Sequence, residues 1–287
     1  MEELAVKKDF TDIYTQKSPN AYLKEMQRLD YFIPDKTKPL YLSLAKQPYK
    51  KLSRIIKILD IGSSYGINSS LMKYDLSMSE LNHFFSKEPT KEQSFEFFNN
   101  LPSDDTLSFY QIDISEPALR FSEDVQLCKK GICVNLETEN LPSKEIPQFD
   151  MIIATGCIGY IGYKAFSNLF ELIKNQQSSN NLSSKKGPFF AFSVLRIFDM
   201  NKIKKTFDNY GYFIVKADIN PIRQRRFSDS DEKQKTISLL QRKGINTKGL
   251  ESDGHFYADF YVASPKKHED QSISMSKVLE NYSVNYA

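Results

Sequence analysis

From residue 55 onward, hydrophobic and polar positions follow patterns that predict strands and helices in alternation. Short apolar runs bounded by turn residues predict strands at 55–60, 107–112, 132–136, 149–154, 188–195, 212–217 and 255–263. Between these runs, apolar residues recur at helical spacing, which predicts helices at 66–85, 116–130, 163–174, 201–210 and 230–243. Repeated strand–helix–strand units predict an α/β fold with a mainly parallel, doubly wound sheet of about seven strands.

Three segments depart from this alternation. Residues 1–54 are polar and aromatic with helical stretches, and we predict that they form an N-terminal helical cap. Residues 77–106 lengthen one connection and contain five phenylalanines, which is typical of a small satellite core, a substrate lid or a dimer surface. The main domain is predicted to span 55–264, and 265–287 is a polar C-terminal tail.

Composition narrows the class of protein. The 39 Lys and Arg residues nearly balance the 36 Asp and Glu residues, so charge does not predict a nucleic-acid or membrane-surface partner. The three cysteines show neither metal-binding nor disulfide spacing, which fits a reducing compartment and predicts no metal site. Because the sequence shows neither a secretory signal nor an apolar run of transmembrane length, a cytoplasmic protein is expected.

The strongest chemical signal is the loop at 59–68, where the first strand meets the first helix. Gly62 permits a tight turn, and Gly66 lets the helix begin close to the strand. The glycine spacing differs from the dinucleotide fingerprint G-x-G-x-x-G. The loop resembles motif I of the class I S-adenosylmethionine (SAM)-dependent methyltransferases, D-x-G-x-G-x-G. Asp60, Gly62 and Gly66 match that motif, and Ser64 replaces its middle glycine.

This resemblance, to small bacterial methyltransferases with an N-terminal cap, implies a Rossmann-like fold whose last strand is antiparallel. It implies SAM as the cofactor, with the acid that ends the second strand, Asp113, holding the ribose hydroxyls. Asn135, Leu136 and Glu137 follow the third strand, where the family places adenine contacts; a plain surface turn is the alternative there. The implied cofactor residues are Asp60, Gly62, Ser63, Ser64, Gly66, Asn68, Asp113, Asn135, Leu136 and Thr155.

The segment after the fourth strand, 155–160, borders the transferable methyl group in the fold that the chain resembles. It lacks the Asn/Asp-Pro-Pro-Tyr motif, which argues against nucleobase amino groups and glutamine as methyl acceptors. Tyr160 is a candidate catalytic or acceptor-pocket residue, with plain packing as the alternative. Cys157 is interpreted as structural.

An antiparallel last strand would turn its beginning toward the site. Arg196, the cluster Arg223, Arg225 and Arg226, and His255 would then gather at one rim. Arginines at a cavity mouth favour an anionic acceptor, although pairing of the cluster with nearby acids is an open alternative. His255 is a candidate general base, which methyl transfer does not strictly require.

The resulting prediction is a SAM-dependent methyltransferase acting on O or N of a small anionic metabolite. Open alternatives are methylation of a protein or peptide side chain, a non-methyl transfer from SAM or its decarboxylated form, and a non-catalytic SAM-fold binding or regulatory subunit. The pair of acids at 60 and 113 argues against the last. Phe10, Tyr14 and Tyr22 are candidates to close over the sulfonium. A nucleic-acid partner is disfavoured, and the oligomeric state is open, a dimer being one option.

Overall fold

The computed structural model describes residues 11–46, 54–141, 146–179 and 187–266. Phe10 and nearly all of the predicted tail lie outside these ranges. Within them the strands are β1 (Ile56–Ile61), β2 (Leu107–Asp113), β3 (Lys130–Cys133), β4 (Met151–Ala154), β5 (Phe189–Leu195), β6 (Tyr212–Lys216), β7 (Ile222–Arg226) and β8 (His255–Pro265). The helices are α1 (Thr11–Tyr14), α2 (Asn20–Arg28), α3 (Ile33–Lys46), α4 (Ile67–Lys73), α5 (Met78–Phe85), α6 (Lys91–Asn99), α7 (Glu116–Asp124), α8 (Tyr163–Ser179), α9 (Asn201–Asn209) and α10 (Ser230–Arg242).

The described strands form one sheet in the order β3-β2-β1-β4-β5-β8-β6, with β7 also paired to β8. Strands β1 to β5 run parallel to one another, whereas β8 is antiparallel to β5, β6 and β7. This confirms the predicted Rossmann-like α/β sheet with an antiparallel last strand. The strand order reverses between β1 and β4, and doubly wound sheets bind ligands at the carboxyl ends beside such a point.

The helices of the predicted aromatic insertion begin at well-formed caps. Ser77 and Glu80 form a capping box at the start of α5, and Thr90 and Gln93 form another at the start of α6. The first cap also explains why the single helix predicted at 66–85 is two helices. The insertion's phenylalanines pack with residues of α2, α4 and α7 in a separate core cluster. The insertion therefore adds a small satellite core.

The third N-terminal helix, α3, is part of the main core. Ile33, Leu40, Tyr41 and Leu44 of α3 are buried in the same hydrophobic cluster as residues of β1, β2, β4 and β8. Residues of α2 pack instead with the insertion and α4. These helices form a wall beside the carboxyl ends of the strands. None of the helices in the described ranges is long and apolar enough to cross a membrane.

Strand β7 was not among the predicted strands, because its polar sequence offers no apolar run. It pairs with β8 through Arg223 opposite Tyr257 and Arg225 opposite Phe256. Gln224 is therefore the extra residue of a β-bulge, where two residues oppose one and the strand bends. The bulge places Gln224 and Arg225, which are consecutive, in the wall of the same cavity.

Candidate active site

A cavity of about 440 Å³ lies at the carboxyl ends of β1, β2 and β4. Its volume is within the usual range for small-molecule sites, about 300–1,000 Å³. One wall is built from the glycine loop and the ends of β2 and β3, and the other from the N-terminal helices, the loop after β4 and β7. The structure thus places a cavity at the edge of the sheet where the fold predicts a ligand.

The glycine loop has a backbone shape that side chains disfavour. Gly62 and Gly66 have φ angles of +63° and +76°, and Ser64 also adopts a left-handed conformation at +50°. A Cβ atom on Gly62 would lie 2.6 Å from the Cβ of Cys157. Ser63 and Ser64 line the cavity. Their hydroxyls are buried and have no hydrogen-bond partner among the described residues. Unpartnered buried hydroxyls fit a site that a polar ligand completes.

Asp113 joins the loop to the end of β2. One carboxylate oxygen accepts a hydrogen bond from the backbone N–H of Ser64 at 2.8 Å, and the other accepts from Ser115 at 2.9 Å. Burial raises the pKa of Asp113, and the backbone N–H groups of Ser115, Ser64 and Ile114 offset part of that rise. Asp113 lines the cavity, so its carboxylate can also accept hydrogen bonds from a ligand.

Asp60 lies beneath the cavity and does not line it. It is fully buried, and the side-chain amide of Asn68 donates to its two oxygens at 3.0 and 3.2 Å. The Thr155 hydroxyl donates to Asn68 Oδ1 at 3.3 Å and lies 2.8 Å from the hydroxyl of Tyr41. Asn68 and Thr155 both line the cavity, so Asp60 positions cavity residues rather than contacting a ligand.

Gly66 also lies outside the cavity lining. A Cβ atom there would be 2.5 Å from Ser122 Oγ and 2.9 Å from Gln111 Nε2. The residue is needed because α4 begins against neighbouring side chains at this point. Its part in the predicted cofactor set is therefore structural.

The cavity wall that carries the glycine loop is largely apolar where it is formed by the ends of β2 and β3. Val134, Leu136 and the polar Asn135 line this part, together with Ile114, which is 72% exposed. Sequence reasoning missed Ile114, although a large apolar residue directly after a strand-end acid is a usable signal. Glu137 also lines the cavity, and its carboxylate accepts hydrogen bonds from the N–H groups of Gly162 and Ala165 at the start of α8.

The opposite wall is rich in tyrosine. Tyr14, Tyr22 and Tyr31 line it from the N-terminal segment, and the half-exposed Tyr160 lines it from the loop after β4. Burial raises the pKa of Tyr14, Tyr22 and Tyr31, so these phenols stay neutral near pH 7. Tyr31 was not predicted from the sequence.

The predicted gathering of four arginines at this mouth does not occur. Arg196 donates to the Glu251 carboxylate and to the Asn246 carbonyl, both at 2.7 Å. The Arg223 guanidinium lies over the ring of Phe32, 5.8 Å from its centroid.

Arg226 and His255 also lie away from the cavity, paired with each other across β7 and β8. Arg226 donates to the Arg28 carbonyl, and His255 Nδ1 lies 3.1 Å from Asp253 Oδ1. The prediction failed because the arginine cluster forms a strand and not a loop. The side chains of a strand point to alternate faces, so they do not gather on one side.

Arg225 is the one predicted arginine that lines the cavity. Its guanidinium forms two hydrogen bonds with the Glu232 carboxylate, at 2.6 and 2.8 Å, and both side chains are buried. The adjacent Gln224, which sequence reasoning missed, also lines the cavity. Its Oε1 has no hydrogen-bond partner within the described part of the chain.

No family model matches the chain, and no curated protein sequence resembles it. Among solved structures, the chain is similar to the magnesium protoporphyrin IX methyltransferase of Synechocystis PCC 6803 with bound SAM (9% identity, 92% of this chain and 97% of that chain, TM-score 0.44). It is also similar to the plantazolicin methyltransferase BpumL in complex with SAH (13%, 92% and 95%, 0.40). A third is a TehB-like SAM-dependent methyltransferase of Corynebacterium glutamicum (11%, 76% and 86%, 0.36). Because these identities and TM-scores are low, the fold is assigned from the strand order and not from the similarities.

Proposed function

We propose that the chain is a methyltransferase that binds SAM in this cavity. The observation that carries the proposal is the placement of Asp113. This carboxylate ends β2 beside the strand-order switch, is bonded to the backbone of the glycine loop, and lines the cavity. That arrangement offers a preformed acceptor for a pair of ligand hydroxyls.

The lining residues fit the parts of SAM. Asp113 would accept hydrogen bonds from the two ribose hydroxyls, and the apolar side chains of Ile114 and Leu136 would contact the adenine ring. The polar groups of Ser63 and Asn68 would bind the amino-acid end. When bound, SAM would supply a methyl group on a sulfonium: an oxygen or nitrogen nucleophile would take this methyl group and lose a proton, and S-adenosylhomocysteine (SAH) would leave.

The cavity's own residues would act mainly by positioning. His255, the predicted base, does not line the cavity, and the buried tyrosines remain protonated. Orientation of the two reactants can supply much of the rate of a displacement. Tyr160, at the mouth, is proposed to contact the acceptor, and the proton is released to water there.

The acceptor is proposed to be a small molecule, because the N-terminal helices and β7 wall off the side opposite the glycine loop. An anionic acceptor was predicted from four arginines at the mouth. Only Arg225 lies there, and Glu232 pairs with it. The positive charge that would recognise an anion is therefore already balanced.

Calorimetric titration with SAH tests the cofactor site. We expect wild-type protein to bind SAH and Asp113→Ala to bind it at least tenfold more weakly, a loss of about 1.4 kcal/mol. Asp124→Ala, which removes an exposed carboxylate at the end of α7, is the matched control and should bind like wild type. Absence of SAH binding by folded wild-type protein would overturn the proposal.

A further inference from the structure

Resting on the proposed methyltransferase function, we infer that the methyl acceptor is a neutral aromatic compound bearing an O–H or N–H group, and that Gln224 recognises this group. This acceptor would lie against the cavity wall formed by the N-terminal segment, the loop after β4 and β7. We call this the acceptor wall; its residues are Tyr14, Tyr22, Met26, Tyr31, Tyr160 and Gln224.

The acceptor wall carries little net charge. Arg225, beside it, is held in a buried two-bond pair with Glu232. The carboxylate of Glu137 accepts two backbone N–H groups at the start of α8. Burial keeps the phenols of Tyr14 and Tyr31 neutral. An anionic acceptor would lose its hydration here, and the one arginine of the lining is already paired with Glu232, so a neutral acceptor is favoured over an anionic one.

The acceptor wall is also aromatic. The rings of Tyr14 and Tyr22 lie 5.1 Å apart at an interplanar angle of 49°. Tyr31, Tyr160 and Met26 line the same cavity. Aromatic rings pack favourably against one another in tilted, offset or edge-on geometries, and thioethers also contact ring edges. A flat aromatic molecule matches this lining better than a sugar or a polar chain.

Gln224 is a fixed and incompletely bonded polar group within this lining. Its backbone carbonyl accepts a hydrogen bond from Phe32, and its residue is only 3% exposed. Its side-chain Oε1 is buried without a partner among the described residues, and its Nε2 lies toward Gly156 in the loop after β4. Because Gln224 lines the cavity, a ligand group beside this amide can complete its hydrogen bonding. An amide both donates and accepts hydrogen bonds, and an O–H or N–H group on the ligand can bond to it in either role.

Gly156 brings this amide to the loop that follows β4. A Cβ atom on Gly156 would lie 2.8 Å from the hydroxyl of Tyr31 and 3.3 Å from Nε2 of Gln224. Tyr31 and Gln224 therefore both lie against the loop that carries Thr155 and Tyr160. A ligand group bonded to Gln224 is thus held close to the polar residues proposed to bind SAM.

Fluorescence titration of SAH-saturated protein at pH 7 tests the inference. The chain has no tryptophan, so the signal of a naphthalene probe can be followed without an overlapping indole. We expect 2-naphthol to bind at least tenfold more tightly than 2-naphthoate, its anionic counterpart. We also expect it to bind at least fivefold more tightly than 2-methylnaphthalene, which has no donor.

Variants assign the donor preference to one residue. Gln224→Leu should reduce the affinity for 2-naphthol at least fivefold and leave that for 2-methylnaphthalene unchanged. Gln241→Leu, the same change at an exposed position of α10, should alter neither. If wild-type protein binds SAH but prefers 2-naphthoate, or if Gln224→Leu retains the preference for 2-naphthol, the inference is wrong while the proposed function stands. Failure to bind SAH would instead remove the proposed function and this inference with it.

Discussion

At the scale of single residues, Gly62 has a conformation and surroundings that disfavour any side chain. Its φ angle is left-handed, and its α-carbon faces Cys157 so closely that a Cβ atom would overlap that side chain. Ser63 and Ser64 follow directly, and their backbone course depends on this turn. The shape of the cofactor loop therefore depends on one missing methyl group.

Replacing Gly62 with alanine should lower the free energy of unfolding by roughly 2–5 kcal/mol, combining a left-handed backbone cost with overpacking. Gly244→Ala is the control, because Gly244 has a similar φ of +69° but open space where the Cβ would be. It should lose only the backbone part, about 1–2 kcal/mol. Urea denaturation measures both, and equal losses would show that contact with Cys157 is unimportant.

Asp60 should make folding stability depend on pH. Its complete burial raises its pKa to about 8, and the hydrogen bond from Asn68 offsets only part of this. In the unfolded chain an aspartate has a pKa of about 3.9. Because the folded state binds the proton more tightly, this contribution to stability is full below about pH 4 and is lost as the pH rises through about 8.

Asp60→Asn removes that titration. We expect the difference in unfolding free energy between wild type and Asp60→Asn to shift in favour of the variant as the pH rises from about 4 to about 8. The total shift should be several kcal/mol, since each pKa unit corresponds to about 1.4 kcal/mol. Parallel denaturation curves across this range, with a constant difference, would contradict the assigned burial of the charge.

The residues of the cofactor loop were predictable as a group but not in their individual roles. The motif at 59–68 and the acid at the end of the second strand identified these residues as a group, and the resemblance to the methyltransferases rests on them. Motif spacing does not state which way a side chain points. Asp60 and Asp113 therefore had equal standing in the sequence, whereas the structure buries Asp60 beneath Asn68 and leaves Asp113 lining the cavity.

At the scale of elements, β7 supplies two polar residues of the cavity wall, Gln224 and Arg225. A sequence rich in arginine and glutamine has no hydrophobic periodicity, so this strand could not be recognised from its pattern. Strand β7 forms because it pairs with the long strand β8, and its bulge turns Gln224 and Arg225 toward the cavity. The N-terminus of α10 then supplies Glu232 to pair with Arg225.

That ion pair should matter far more for stability than an exposed one in the same helix. Glu232→Gln leaves the Arg225 charge buried without its partner, which typically costs about 3–5 kcal/mol. Asp231→Asn removes the exposed pair between Asp231 and Lys235 and should cost at most about 1 kcal/mol. Thermal unfolding of the two variants compares these values, and similar losses would mean that β7 does not depend on the buried pair.

At the scale of the whole molecule, the strand order and the N-terminal helices together create the site. The parallel strands were predicted correctly because apolar runs alternating with helical segments strongly limit the topology, and the antiparallel last strand was correctly implied by the resemblance to the methyltransferases. The second wall was only partly predictable. Tyr31 and Gln224 are brought beside Gly156 by long-range packing, which no local pattern encodes.

Contacts between the two walls link the N-terminal segment to the proposed cofactor site. The Tyr65 hydroxyl, from the glycine loop, donates to the carbonyls of Ile13 and Gln16 at 3.1 and 2.8 Å. The Ser115 hydroxyl, next to the strand-end acid, donates to the Tyr14 carbonyl. The segment that carries Tyr14 is therefore bonded to both loops that meet at Asp113.

A crystal structure of the protein grown with SAH would locate the cofactor site directly. We expect SAH in the cavity at the carboxyl ends of β1, β2 and β4, with both ribose hydroxyls bonded to the Asp113 carboxylate and the adenine against Ile114 and Leu136. The sulfur should face the end lined by Tyr31 and Gln224. SAH bound elsewhere, or bound in this cavity with its ribose away from Asp113, would show that the proposed cofactor site is wrong.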